Sequence, residues 1–224
     1  MSDSAIPMET LLALRWHQYS DAWVDAVRER RIGSRIGATD QALIDAILTQ
    51  RPTDLLDLGC GEGWLARRLH PLGIGVTGID AEPRLIHAAQ QAGIGTFRVA
   101  NYGDLPIPFG PFDMAVSNFA LLGDESVRGL FASLSRILKP GGHLIVQTLH
   151  PLSLAPDHYQ DGWREDSWAA FSAVGDNAPP WYFRTLQSWA ALFRDHHLKL
   201  IDLREPMAPG SITPASILFI ARRD

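Results

Sequence analysis

Short apolar runs of strand length alternate with helically spaced apolar residues along this chain. The runs predict buried strands over 54–58, 75–80, 96–100, 112–118, 143–149, 198–204 and 215–221. Helical spacing predicts helices over 8–30, 41–49, 64–69, 83–92 and 126–138, with another after Thr185. Alternation of this kind is typical of a parallel sheet with right-handed crossovers. The pattern therefore predicts an α/β fold.

Two segments lie outside the alternating pattern. Residues 1–40, which contain the opening helix, are expected to form an N-terminal helical cap on a single domain spanning 1–224. Residues 151–184 are irregular in sequence, and a long irregular connection inside a compact domain is often a functional lid. We expect this insertion to cover a substrate. The alternative, in which its tryptophans anchor the loop and its acids face water, stays open.

A turn rich in glycine joins the first predicted strand to the helix that follows it, within residues 55–63. Without Cβ atoms, Gly59, Gly61 and Gly63 can adopt positive φ and let the backbone approach a ligand at a helix N-terminus. The dinucleotide fingerprint G-x-G-x-x-G/A is broken, because Trp64 occupies its last small position. A nicotinamide-dependent enzyme is therefore disfavoured.

Acidic residues around this turn indicate the charge of the ligand. Asp57 and Glu62 bracket the glycines and would repel a pyrophosphate while favouring an ammonium or sulfonium group. Asp80 ends the next strand about 20 residues later, where a carboxylate can accept both ribose hydroxyls. S-adenosylmethionine is a nucleoside with a cationic tail, so it matches both of these features. A glycine-rich turn whose acids are merely solvated is the alternative.

Five motifs appear in an order and spacing that resemble a known family. They occupy residues 55–63, 78–80, 103–106, 112–118 and 138–142. The set resembles the class I S-adenosylmethionine-dependent methyltransferases, in the broad small-molecule branch of that superfamily. Members of this branch often carry a His-Pro pair after the fifth strand, as His150-Pro151 does here. The motifs are specific for the reaction class and not for the substrate.

The resemblance implies a Rossmann-like, seven-stranded, mostly parallel sheet with an antiparallel C-terminal edge hairpin and helices on both faces. It implies that Asp57 and the glycine turn hold the methionine part of the cofactor, Asp80 the ribose and Ala81 a face of the adenine. Asn101 replaces the usual acid, and its amide oxygen can accept from adenine N6. A turn-forming role for Asn101 and a merely buried Tyr102 stay open. The other cofactor residues expected at this sheet edge are Gly59, Cys60, Gly61, Tyr102, Ser117 and Asn118.

Methyl transfer from a sulfonium needs mainly in-line positioning and exclusion of water. His150, at the predicted carboxyl end of the fifth strand, is the candidate base for an acceptor that arrives protonated. A turn in which its imidazole bonds the backbone is the alternative. Aromatic and acidic side chains suit a flat apolar or amine-bearing acceptor. The acceptor residues expected with His150 are Trp16, Tyr19, Phe119, Trp163 and Trp181, with Trp168 and Phe171 in the same insertion.

Composition limits the partners. The net charge is −5, and Lys139 and Lys199 are the only lysines, so nucleic acid is not expected as a substrate. No apolar run reaches a membrane-spanning length and the first residues lack a secretory pattern, so a cytoplasmic protein is expected. Cys60 is the only cysteine and is interpreted as a small residue filling space in the turn. No metal site is expected, and no oligomeric state is predicted.

Two alternatives from other classes stay open at this point. A non-catalytic module would bind S-adenosylmethionine and its demethylated product without turning over any acceptor. A nucleotide-dependent oxidoreductase would share the fold but select a dinucleotide.

Overall fold

The computed structural model describes residues 6–103, 105, 110–154, 158–165 and 178–224. Its helices are α1 (Met8–Arg28), α2 (Asp40–Gln50), α3 (Trp64–Leu69), α4 (Pro83–Gln91), α5 (Glu125–Ile137), α6 (Pro151–Leu154) and α7 (Leu186–Asp195). Its strands are β1 (Asp54–Leu58), β2 (Gly75–Asp80), β3 (Thr96–Val99), β4 (Phe112–Asn118), β5 (Leu138–Thr148), β6 (Gly162–Arg164), β7 (Trp181–Phe183), β8 (Leu198–Arg204) and β9 (Ile217–Arg223). A π-helical turn, Arg35–Thr39, leads into α2, and a 3-10 turn, His70–Leu72, follows α3.

Seven strands form one sheet in the order β3-β2-β1-β4-β5-β9-β8. The first five in this order are parallel, and β9 is antiparallel to both of its neighbours. The expected seven-stranded, mostly parallel sheet with an antiparallel edge hairpin is therefore confirmed. Strand order reverses between β1 and β4, and sheets of this type bind ligands at the carboxyl ends of the strands on either side of that point.

Alternate residues of the central strands point to two apolar layers, which confirms helices on both faces. On one face, Ala115 and Leu144 pack with α5 and α7, where the Phe131 and Phe193 rings meet edge to face at 5.3 Å. On the other face, Val116 packs with residues of α2, α3 and α4. None of the described helices is long and apolar enough to cross a membrane.

Helix α1 lies across the carboxyl ends of the strands and is fastened by side chains near its start, middle and end. One contact reaches the N-terminus of α5, one the N-terminus of α4 and one the glycine turn after β1. The contacts are Glu9 Oε1 to Asp124 N (2.8 Å), His17 Nδ1 to Glu82 Oε2 (3.0 Å) and Arg28 Nε to Glu62 Oε2 (3.1 Å). These three attachments place α1 over the edge at which a ligand would bind.

The described part of the 151–184 insertion contains regular structure that the sequence pattern does not predict. Strands β6 and β7 pair as a two-stranded antiparallel ladder, in which Trp163 lies opposite Tyr182 with ring centroids 5.6 Å apart. Each strand has three residues, which is too short for alternation to be visible. Trp168 and Phe171, expected in the same segment, lie outside the described residues.

Candidate cofactor and acceptor site

A cavity of about 790 Å³ opens at the carboxyl ends of the central strands, with α1 forming part of its wall. This volume is near the top of the range of about 300–1,000 Å³ found for small-molecule sites. Most of the residues expected from the sequence line it: Trp16, Gly59, Cys60, Gly61, Asp80, Ala81, Asn101, Tyr102, Asn118, Phe119 and His150. Asp57 and Ser117 are buried and lie outside the described lining.

The glycine turn after β1 exposes its backbone to this cavity. Gly59 has φ +76°, and a Cβ there would lie 2.2 Å from the Ala120 Cβ, so the turn packs against the segment after β4 only without a side chain. Gly61 has φ +56°, and the atom nearest to a Cβ built on it is Trp23 Nε1 at 3.9 Å. The space in front of Gly61 is therefore available to a ligand.

Glu62 holds the turn in place and does not set the charge seen by a ligand, contrary to the interpretation of the sequence. Its side chain is 1% exposed, and its two carboxylate oxygens each accept from Arg67 Nη2 at 2.6 Å. The Arg28 guanidinium donates to the same carboxylate. Two guanidinium partners neutralise this acid and tie the turn to α1 and α3. Local spacing cannot reveal this, because Arg28 is 34 residues away.

Asp57 and Asp80 carry the negative charge of the site. Asp57 is 2% exposed, and its Oδ2 has no hydrogen-bond partner among the described residues. Burial, reinforced by the charge of Asp80, raises the pKa of Asp57 to about 7, and Arg35 opposes the shift. Burial also raises the pKa of Asp80 to about 6, opposed by hydrogen bonds from backbone N–H groups. Both acids lose a proton more readily when a cationic ligand binds.

We expect cofactor affinity to rise with pH between about 5 and 8, as Asp57 and Asp80 ionise. S-adenosylmethionine should show the steeper rise, because its sulfonium is charged and the sulfur of S-adenosylhomocysteine is neutral. In the ligand-free protein, pH affects stability in the opposite direction to cofactor affinity. Because the pKa values of both acids are raised in the folded state, they contribute stability below the ordinary pKa of 3.8. This stability is lost as pH rises through about 6 and 7. The melting-temperature shift caused by S-adenosylmethionine should thus be larger at high pH, and equal shifts across the range would contradict the assignment.

Asp80 also organises the backbone around the expected ribose position. Its Oδ2 accepts from Gly61 N at 3.0 Å and its Oδ1 from Glu82 N at 2.9 Å. Each oxygen keeps a further lone pair for a ribose hydroxyl. The carboxylate therefore links the glycine turn after β1 to the start of α4.

The residues expected around the base follow β2 and β3. Ala81 and Asn101 are exposed and line the cavity. Tyr102 is partly buried, and its hydroxyl donates to Ala120 O at 3.3 Å. Burial raises the pKa of the Tyr102 phenol, so it stays protonated and acts as a donor. These positions form a shallow wall beside Asp80 that suits a flat ring.

The amide of Asn118 is oriented from behind by Gln147. Gln147 is fully buried on β5, and its Nε2 donates to Asn118 Oδ1 at 2.7 Å and to Thr39 O at 3.1 Å. With its oxygen engaged, Asn118 presents its NH₂ group as the remaining donor. The Ser117 side chain is fully buried in the sheet, so it does not reach the cavity.

Arg35 is a cavity residue that the sequence interpretation missed. It is 8% exposed, its Nε donates to Asp40 Oδ1 at 2.9 Å, and its guanidinium lies 4.4 Å from the centroid of the Trp64 ring. The ring and the carboxylate fix the plane of the guanidinium. Arg35 stands in a π-helical turn, where no helical or strand periodicity marks a side chain as inward. Trp23, also missed, lines the cavity from α1.

Another part of the cavity lining is apolar and aromatic. The rings of Trp16 and Trp23 meet edge to face, with centroids 5.1 Å apart. Phe119 has φ +54°, in the left-handed region that is costly for a residue with a Cβ. This backbone conformation, directly after β4, turns Phe119 into the lining of the cavity. The apolar lining is completed by Leu12, Ala13, Leu122, Leu149, Pro214 and Ala215.

Three aromatic residues expected at the acceptor lie elsewhere. Tyr19, Trp163 and Trp181 do not belong to the described lining of the cavity. Trp181 is 5% exposed and packs with Phe183 in an apolar cluster that also contacts Tyr19. Trp163 packs on the ring opposite it in the β6–β7 ladder. Trp163 thus pairs within the insertion, and Trp181 connects the insertion to α1 through the cluster that includes Tyr19.

His150 lies just after β5 and lines the cavity while being only 3% exposed. Its Nε2 is 2.7 Å from Glu205 Oε1. Its Nδ1 is buried and has no hydrogen-bond partner among the described residues. The imidazole therefore contacts a carboxylate, and not a backbone group as in the alternative interpretation.

The chemistry of the remaining candidate groups is limited. Burial strongly raises the pKa of the Cys60 thiol, so it stays neutral, in keeping with a residue that fills space. Within the part of the chain that the structure describes, no group of three His, Cys, Asp or Glu side chains is placed to hold a metal ion.

A mostly parallel sheet with a glycine turn at its switch point and an acid ending the next strand defines a nucleoside-binding α/β protein. Comparison with known proteins agrees. Residues 56–146 match the family described as methyltransferase domain. Among solved structures, an S-adenosylmethionine dependent methyltransferase from Mesorhizobium loti is 26% identical, with a TM-score of 0.66 over 80% of this chain and 96% of that one.

Two curated relatives match over shorter stretches. Demethylmenaquinone methyltransferase of Tropheryma whipplei is 35% identical over 112 residues, 48% of this chain and 46% of that protein. Malonyl-[acyl-carrier protein] O-methyltransferase of Hahella chejuensis is 36% identical over 105 residues, 44% of this chain and 37% of that protein. The match thus covers less than half of each relative. In its family match and in its fold, the chain is similar to the class I S-adenosylmethionine-dependent methyltransferases.

We expect α1 to gain protection from hydrogen exchange when S-adenosylhomocysteine and an acceptor bind. Two of its three attachments come from half-exposed side chains, His17 and Arg28, which water can also solvate. Segments of low stability over a site gain protection when ligand orders them. Helix α7, which packs on the sheet away from the cavity, is the internal control. Equal protection of α1 with and without ligands would show that it is a fixed part of the wall.

Proposed function

We propose that this protein transfers the methyl group of S-adenosylmethionine to a small-molecule acceptor bound in the same cavity. One observation carries the proposal: the cavity joins an acid-and-glycine surface to an apolar wall that includes His150. The first surface suits a nucleoside with a cationic tail, and the second suits a separate acceptor. A cytoplasmic location and the absence of nucleic-acid partners belong to the same proposal.

The residues present fit the cofactor. The unpartnered Asp57 oxygen and the open face of Gly61 suit the methionine part, and Asp80 suits the ribose. Asn101 and Tyr102 flank the expected position of the base. The cofactor supplies a methyl group already activated by a sulfonium, so the protein needs chiefly to orient the acceptor and exclude water. The apolar wall excludes water from the reacting atoms.

Arg35 is the group best suited to the cofactor carboxylate. Its guanidinium is buried in the lining beside the glycine turn, and its plane is fixed by Trp64. A planar guanidinium with free N–H groups binds carboxylates well in a site with little water. Its charge also opposes the raised pKa of Asp57, which links the two ends of the methionine site.

Asp80→Ala is expected to weaken S-adenosylhomocysteine binding by roughly 1–3 kcal/mol, because charge-assisted hydrogen bonds to the ribose are lost. Calorimetry measures this. Asp113→Ala is a matched control, since Asp113 bonds Thr53 and Lys139 at the far end of the sheet. Asp113→Ala should lower stability and leave affinity unchanged. A folded Asp80→Ala protein with wild-type affinity would remove Asp80 from the site and overturn the proposed function.

The two alternative classes make different predictions for simple ligands. An oxidoreductase should be stabilised against heat by NADH or NADPH, whereas a methyltransferase should respond to S-adenosylhomocysteine. A non-catalytic module should bind S-adenosylhomocysteine and release none of it from S-adenosylmethionine with any acceptor. The lining of the cavity by His150, which no cofactor contact requires, favours an enzyme over the module.

The names of the two curated relatives describe acceptors of different chemistry. Demethylmenaquinone is a neutral ring system, and a malonyl group on a carrier protein is an anion carried by a second protein. An acceptor of the first kind needs an apolar cavity, whereas one of the second kind needs a positive charge near the methyl group. The apolar wall of Trp16, Phe119 and Leu149 supports a neutral acceptor.

A further inference from the structure

His150 is held by a carboxylate that comes from a distant part of the chain. Glu205 follows β8 directly, 55 residues after His150, and its Oε1 is 2.7 Å from the imidazole Nε2. The loop after β8 is itself closed by a hydrogen bond from Ala215 N to Pro206 O at 2.8 Å. The same loop supplies Pro214 and Ala215 to the cavity wall. Glu205 is therefore placed by a defined loop at the rim of the cavity.

This contact determines which imidazole nitrogen carries the proton. A carboxylate accepts only, so the Nε2 of a neutral His150 must donate to Glu205. Its Nδ1 is then an unprotonated acceptor, and it is buried without a partner among the described residues. A buried acceptor left unpaired destabilises the protein, because it has lost its hydrogen bond to water. A ligand that donates a hydrogen bond to Nδ1 would recover this free energy.

The charges around the acceptor part of the cavity disfavour an anionic ligand. In the described lining, the carboxylates are Glu9, Glu62, Asp80 and Glu82, and the only guanidinium is Arg35. Arg35 donates from Nε to Asp40, and the proposed function assigns its remaining N–H groups to the cofactor carboxylate beside the glycine turn. A carboxylate or phosphate on the acceptor would lose its hydration without gaining a free cation. A neutral acceptor incurs no such cost.

The Glu205 contact and the charges of the lining together indicate the class of the acceptor and a positioning residue for His150. We propose that the acceptor is a neutral planar molecule bearing a hydroxyl group, whose proton passes to His150 Nδ1 while Glu205 holds the imidazole. The inference rests on the proposed function. As the hydroxyl proton moves to Nδ1, a lone pair of the acceptor oxygen forms the new C–O bond. The C–S bond breaks with its electron pair on sulfur, giving a methyl ether, a neutral thioether and an imidazolium paired with Glu205.

The first measurement reports the tautomer of His150 in the complex with S-adenosylhomocysteine, by NMR of protein with ¹⁵N-labelled histidine. The His150→Ala spectrum assigns the signals. Wild type should show Nε2 protonated and Nδ1 bare, with at least about a tenfold preference over the other tautomer. Glu205→Ala should remove that preference, and Glu205→Gln, which keeps an acceptor oxygen, should restore part of it. Asp202→Ala, which removes a carboxylate from β8, the strand that Glu205 follows, should leave the tautomer preference of His150 unchanged.

The second measurement is calorimetric titration of the same complex with 1-naphthol and with 1-naphthoate, a neutral and an anionic ligand of one ring shape. We expect 1-naphthol to bind at least about tenfold more tightly, since naphthoate would be desolvated without a counter-ion. Tighter binding of naphthoate, absence of naphthol binding, or an imidazole protonated on Nδ1 would overturn the inference. Failure of S-adenosylhomocysteine to bind the wild-type protein would instead overturn the proposed function.

Discussion

Gly61→Val is expected to lower affinity for S-adenosylhomocysteine by at least about 100-fold in a protein that still folds. The Cβ position of Gly61 opens on the cavity, and its nearest neighbour, Trp23 Nε1, is 3.9 Å away. A Cβ at this position therefore meets no protein atom closer than ordinary van der Waals contact. The branched side chain of valine would instead fill the space in which the ligand approaches the backbone. Calorimetry measures the affinity, and thermal unfolding measures the stability.

Valine is also strained at the φ of +56° that Gly61 adopts, and this strain needs its own control. Gly73 provides it: φ is +81°, no atom lies within 4 Å of its Cβ position, and it follows the 3-10 turn outside the described cavity lining. Gly73→Val should lose stability and keep cofactor affinity. If Gly61→Val bound as wild type does, the glycine turn would serve only the fold.

His150→Ala is expected to reduce turnover of a hydroxylated acceptor by roughly 10²–10⁴-fold, the range typical of losing a general base. Affinity for S-adenosylhomocysteine should be unchanged, because the proposed cofactor contacts are those of Asp57, Asp80 and the glycine turn. Steady-state rates with saturating cofactor provide the comparison.

His143 is a matched control, because it lies in the middle of β5, the strand that His150 follows, and outside the described cavity lining. His143→Ala should leave the rate unchanged. A raised acceptor KM with an unchanged maximal rate in His150→Ala would make His150 a binding group. A loss of cofactor affinity alone would place it in the cofactor site and refute its role as base.

The sheet and the position of its glycine turn could be predicted from the sequence because their signals are local. An apolar run followed by glycines indicates β1 and its turn, and Asp80 is recognisable as the acid that ends the next apolar run. Such features depend on residues within a few positions of one another. The predicted strand 143–149 missed the first residues of β5, because a local pattern does not reveal pairing with another strand. β5 begins at Leu138, where pairing with Phe112 extends it across a bulge.

The roles that the sequence did not reveal depend on contacts between distant parts of the chain. Glu62 appears to a sequence analysis as a free acid, and its neutralisation by Arg28 requires that α1 fold back over the turn. In the sequence, Trp181 is a candidate for the acceptor site, and its burial depends on packing with Leu122 and with residues of α1. The partnership of Glu205 with His150 likewise joins two strand ends that only the sheet order brings together.

The position of β9 has a consequence for the order in which the two halves of the cavity mature during synthesis. β8 leaves the ribosome before β9, yet it joins the sheet only through β9, which inserts between β5 and β8. The half of the cavity expected to bind the cofactor is formed at the ends of β1, β2 and β4, so we expect it to form without β8 or β9. Contacts between distant residues form late in folding. We therefore expect nascent chains to gain affinity for S-adenosylhomocysteine first, and the Glu205 contact that orients His150 only after β9 is complete.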